Sequence, residues 1–97
     1  MRSINFEVGT LVKSKAGRDE GSIYVVVEIK DDIYVKLADG NHKRLSNPKL
    51  KKVKHIEPLN IELPKIKEKL LNNVKVFDSE VYSAIKKATD CEQKASD

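Results

Sequence analysis

Cysteine occurs once in the chain, at Cys91, histidine only at His42 and His55, and tryptophan not at all. A lone thiol excludes an internal disulfide. A structural zinc site draws about four ligands, mostly Cys and His, and this inventory falls short of one. No apolar run approaches the ~20 residues of a membrane-spanning helix, and Met1–Val12 holds neither an apolar leader core nor a cleavage pattern. There is no GxxxxGK phosphate loop, no nucleophile elbow and no histidine-based metal motif. The acidic pairs Asp19-Glu20 and Asp31-Asp32 fall in predicted turns, where carboxylates are solvated and unsuited to proton transfer. Nothing beside Cys91 in sequence would activate its thiol. These absences predict a cytoplasmic protein that is not an enzyme, holds no metal or cofactor and meets no membrane.

What is present is charge and short apolar patterning. The 97 residues suit one compact unit with a small core. Charged residues make up 35% and hydrophobic ones 39%, yet the latter cluster in periodic runs, which a disordered chain would not show. Residues 1–58 carry 12 Lys or Arg against 8 Asp or Glu, whereas residues 59–97 carry 7 of each. The whole net charge of +4 therefore sits in the first part of the chain. Within it, residues 40–56 hold Lys43, Arg44, Lys49, Lys51, Lys52 and Lys54, with His42 and His55, and no acid. A polyanion would meet one sign of charge there.

Residues 8–13 read as a short strand, followed by a polar loop over 14–21 that contains two glycines. Ile23–Ile29 is the strongest strand, with Ile23, Val25, Val27 and Ile29 on one face and Tyr24, Val26 and Glu28 on the other. Asp31-Asp32 turns the chain into a return strand over 33–38, where Ile33, Val35 and Leu37 alternate with Tyr34, Lys36 and Ala38. Asp39-Gly40 signals another hairpin, with His42–Leu45 as a fourth strand ended by Asn47-Pro48. Val53 and Ile56 mark a fifth strand before Pro58. Such spacing predicts a mostly β chain: a small five-stranded SH3-like barrel over 1–58, then a helical extension over 59–97. Pro64 opens a first helix with Ile66, Leu70 and Leu71 on one side, as far as Asn72-Asn73. Asp78 or Ser79 caps a second, with Val81, Tyr82 and Ile85 as its buried stripe. From Thr89 the lack of apolar anchors predicts fraying.

The segment Val8-Gly9 … Leu11-Val12 … Ser14 … Gly17-Arg18-Asp19 … Gly21, followed by a β-branched strand, resembles a KOW motif. The likeness is closest to small bacterial KOW proteins similar to a large-subunit ribosomal protein family of archaea and eukaryotes. It covers residues 8–29 well, and Asp39-Gly40 and Lys49–Lys54 more loosely. It implies an RNA-contacting loop on a small barrel, ribosomal RNA as the partner, ribosomal proteins as neighbours and a helical extension. Gly17 and Gly21 carry over as the loop glycines and Arg18 as a backbone contact. Two positions differ from the common pattern: Glu20 directly before the second glycine, and Ser22–Tyr24 without a further glycine.

The residues support the same chemistry without the resemblance. Gly17 and Gly21 turn the chain between two strands. Such a turn also lets backbone approach a phosphate, with Lys13, Lys15 and Arg18 at hand. In an extended 49–56 segment Val53 would point away from Lys52 and Lys54, giving a buried face and a cationic one. His42 and His55 either touch phosphate or are ordinary members of the basic stretch. Tyr24 and Tyr34 either stack on unpaired bases or cover the second side of the barrel; sharing a face with Val26 favours the latter. The expected RNA-binding set is thus Lys13, Lys15, Gly17, Arg18, Gly21, His42, Lys43, Arg44, Lys49, Lys51, Lys52 and Lys54, on a chain that is a monomer when free. The competing expectation is a protein-interaction module, for small barrels also bind peptides and transcription or translation factors.

Overall fold

The computed structural model describes residues 6–18 and 20–95, with side chains as far as residue 89. Residues 1–5, Asp19 and the Cys91 side chain lie outside the described residues. Five strands form one antiparallel sheet: β1 (Thr10–Ser14), β2 (Ile23–Ile29), β3 (Tyr34–Ala38), β4 (Lys49–Lys52) and β5 (Ile56–Glu62). Their spatial order is β4-β3-β2-β1-β5. Two helices follow, α1 (Pro64–Leu71) and α2 (Asp78–Ala95). The chain is mostly β with helices after the sheet. The sheet is open: among the described residues no ladder joins β4 to β5.

Both sheet faces are buried, which explains why β2 is apolar almost throughout. One face carries Val12, Tyr24, Val26, Val35, Leu37 and Ile56. The other carries Leu11 and Val25, covered by Leu63, Ile66, Val81 and Ile85. The helices therefore share a core with β1 and β2, and β5 runs straight through residue 58. Tyr24 is buried in the first core, in the covering role that its strand face predicted.

A register shift between Val26 and Glu28 changes which residues share a face. Val27 is the extra residue of a bulge, so the alternation reverses after it. Ile29 consequently joins the Tyr24 and Val26 side instead of the Ile23, Val25 and Val27 side. Glu28 lands opposite Lys36, and the two form an ion pair at 3.8 Å.

The expected strand at His42–Leu45 is a loop, and β4 begins only at Lys49. The Asp39 carboxylate is the cause. Its Oδ1 accepts the amides of Asn41 and Lys43, while the amides of Asp39 and Gly40 donate to the Lys43 carbonyl. Backbone groups that would have formed a ladder are used within a tight turn. Asp31 acts likewise: its Oδ1 accepts the amides of Ile33 and Tyr34, which leaves Ile33 exposed and starts β3 one residue later than expected.

α1 ends where Asn72-Asn73 predicted. Asn73 has φ of 56°, and the Val74 amide donates to the Lys69 carbonyl while that of Asn73 donates to Leu70, a Schellman closure. At α2 the expected cap differs. Asp78 Oδ1 accepts the Leu45 amide at 2.7 Å, and Glu80 reaches back to the Phe77 amide at 3.2 Å instead. Val81 and Ile85 are buried as expected, but Tyr82 faces solvent. α2 also continues past Thr89 to Ala95, because missing apolar anchors do not prevent helical hydrogen bonding among Ala, Lys, Glu and Gln.

Candidate nucleic-acid interface

The 15–22 loop is cinched at its base. Ser14, itself buried, donates its amide to the Ser22 carbonyl at 2.9 Å, and its own carbonyl accepts the Gly21 amide at 2.8 Å. Gly17 and Gly21 have φ of 87° and 92°, values that favour glycine. A Cβ at Gly21 would meet open space, so backbone conformation alone explains that residue. The Glu20 amide donates to the Gly17 carbonyl and the Lys15 amide to the His55 carbonyl. The amides of Lys15, Glu20 and Gly21 are thus used within the protein. Lys15 and Arg18 stand exposed on this loop.

Two bonds bring the acid-free segment to the loop. Lys51 Nζ donates to the Ala16 carbonyl at 2.9 Å, and the Lys15–His55 backbone bond measures 2.8 Å. A single 3-10 turn, Val53–His55, carries the chain from β4 back toward β1. Basic residues more than thirty positions apart in sequence are gathered around Ala16 in this way.

The lysines of β4 do not share one outward face. Lys49 and Lys51 stand opposite Leu37 and Val35, on the side of the first core, and both are half-buried. Leu50 and Lys52 point the other way, opposite Lys36 and Tyr34. Val53 packs against the first core from the 3-10 turn, while Lys52 and Lys54 are exposed beside Asp32 and Ile33. Arg44 is exposed and Lys43 half-buried in the turn held by Asp39.

Acids also enter the region. Lys13 pairs in register with Glu57 across β1 and β5. Glu57 and Glu20 line one groove with Lys13, Lys15 and Gly21. That groove is of mixed charge; Arg18 and Arg44 are exposed outside it, and Lys52 and Lys54 border a second groove with Asp32. On the opposite flank of the loop, Gly21 and Ser22 border a groove with His42 and residues of α2 that include Tyr82 and Lys86. The expected site leaves these last two out. The only sequence signal for them is a four-residue spacing on a helix.

Among the described residues no three His, Cys, Asp or Glu side chains lie close enough to hold a metal ion, and no helix is long and apolar enough to cross a membrane. No protein-family model matches the chain, and no curated protein sequence matches it.

Proposed function

We propose that this chain is a cytoplasmic RNA-binding protein of KOW type, associated with the ribosome and docking on structured ribosomal RNA without catalysing a reaction. In this reading the coiled sheet is an SH3-like barrel. The strand order β4-β3-β2-β1-β5 and the 3-10 return from β4 support it. The carrying observation is the pair of bonds, Lys51 to Ala16 and Lys15 to His55, that sets an acid-free segment against the Gly17–Gly21 loop. Exposed Arg18, Arg44, Lys52 and Lys54, with Lys15, offer about five phosphate contacts. Phosphate contacts position an RNA without reading its sequence.

Affinity then comes largely from counterion release. Log K falls against log salt with a slope of about −3.5 for five contacts to single-stranded RNA, at about −0.7 each. Reversing Arg18, Arg44, Lys52 and Lys54 to Glu abolishes binding to ribosomal RNA with the thermal transition preserved. Lys51 is kept native because its ammonium holds the loop. Wild-type affinity in that variant refutes the surface.

One feature favours the protein-interaction reading. Between α1 and α2 lies an open apolar groove of about 490 Å³ lined by Leu63, Pro64, Ile66, Ala84 and Ala88. Sedimentation with ribosomes separates the two. Salt-sensitive association lost on nuclease treatment supports RNA, and nuclease-resistant association with one protein supports the groove.

A further inference from the structure

The second flank of the loop carries chemistry that phosphate contact does not use. Gly21, Ser22, Asp39, His42, Tyr82 and Lys86 line one groove of about 410 Å³, in the ~300–1,000 Å³ range of small-ligand sites. Tyr82 is 43% exposed although it sits one residue from fully buried Val81. It lines the groove together with the His42 imidazole and the Lys86 ammonium. Among the described residues that line it Asp39 is the one acid, and its Oδ1 already accepts the Asn41 and Lys43 amides. Asn41, also on the rim, has a side-chain amide with both donors and an acceptor.

The two walls are held rigidly. Gly40 lies so close under α2 that a Cβ there would overlap the Asp78 carbonyl oxygen and meet the Tyr82 backbone nitrogen at 2.8 Å. The Leu45 amide bond to Asp78 ties the same loop to the same helical turn. Tyr82 is therefore presented from a fixed backbone, and little ordering is left for a ligand to impose.

We infer that this groove receives an unpaired nucleotide of the bound RNA, its base stacked on Tyr82 and its phosphate held by Lys86 and His42. The inference rests on the RNA-binding reading and is continuous with that surface through Gly21 and His42. An aromatic face that shares a groove with a cation is the arrangement that favours single-stranded nucleic acid over a duplex, whose bases are already stacked. It gives α2 a direct part in recognition, beyond covering the sheet.

The test measures binding of a mixed-sequence single-stranded RNA oligonucleotide and of the duplex formed from it. Tyr82→Ala weakens single-strand binding by roughly ten-fold with an unchanged salt slope, and leaves the duplex unaffected. Tyr82→Phe keeps wild-type affinity. Lys86→Gln reduces the single-strand salt slope by about 0.7. Ultraviolet crosslinking of the wild-type chain to the single strand maps to the peptide containing Tyr82, a readout that does not depend on any variant folding. Wild-type affinity in Tyr82→Ala, or crosslinks confined to other peptides, overturns the groove alone when the Arg18, Arg44, Lys52 and Lys54 reversal still abolishes binding. Failure of the wild-type chain to bind either RNA overturns both readings, and a nuclease-resistant protein partner at Tyr82 replaces the nucleotide.

Discussion

Gly21 and Gly40 both have positive φ, at 92° and 78°, yet the structure uses them differently. Around Gly21 there is room for a methyl group, so Gly21→Ala meets only the unfavourable backbone conformation, about 1 kcal/mol. At Gly40 the same methyl group collides with the backbone of α2, which cannot yield as a flexible side chain would. Gly40→Ala therefore costs at least about 2 kcal/mol more than Gly21→Ala, from overpacking added to strain. Chemical denaturation of the two variants checks this, and equal losses would remove α2 from its place over the 39–45 turn. Asp39 and Asp31 teach the companion lesson. Each carboxylate captures two backbone amides: at Asp39 the compact turn replaces the strand that the hairpin signal predicts at 42–45, and at Asp31 it starts β3 one residue late.

Among the elements, α1 and α2 are joined by Lys69 and Glu80, whose ammonium and carboxylate are in hydrogen-bond contact. The Lys69 ammonium first, and then the Phe77 amide, hold the Glu80 carboxyl below the ordinary glutamate range. A lowered native value means that the stabilising contribution is complete above the unfolded glutamate range and is lost as pH falls through the lowered one. Asp31, lowered chiefly by the Tyr34 and Ile33 amides, adds to the same acid limb. Glu80→Gln should flatten the fall of melting temperature with acid while leaving neutral-to-alkaline behaviour parallel to wild type. A wild-type acid limb in that variant would remove the clasp from the account. At the alkaline end, Lys67 is raised by hydrogen bonds to Glu7 and then Glu62, a contribution lost only as pH rises through the raised lysine value.

Across the whole molecule, the sheet depends on its helices. Leu63, Ile66, Val81 and Ile85 cover Leu11 and Val25. At about 2 kcal/mol for each of those four side chains, their burial is comparable to the ~5–15 kcal/mol net stability of a domain. A chain cut after Glu62 loses all four. It should show no cooperative thermal transition, whereas a self-sufficient barrel would melt as the full chain does. Differential scanning calorimetry of the two chains decides between these outcomes.

Much of this was legible in local patterning. β2 was readable from its β-branched run, α1 from Pro64 and the Asn72-Asn73 stop, and the covering role of Tyr24 from its neighbour Val26. The acid-free stretch after Asp39 was visible in the sequence, but not that its lysines fall on both sides of β4. Strand alternation, helix breaks and charge runs arise from residues a few positions apart, so a linear reading detects them. The bulge at Val27, the Leu45–Asp78 tie, the approach of Gly40 to α2 and the reach of Lys51 to Ala16 were not detectable in that way. All but the bulge join positions more than thirty residues apart, and the bulge is visible only against the partner strand. Long-range packing also puts Glu57 opposite Lys13 and brings Tyr82, His42 and Lys86 to one groove, which decides where the surface is of mixed charge and where a ring shares a groove with a cation. Composition supplied the cations; packing across distant segments chose their neighbours.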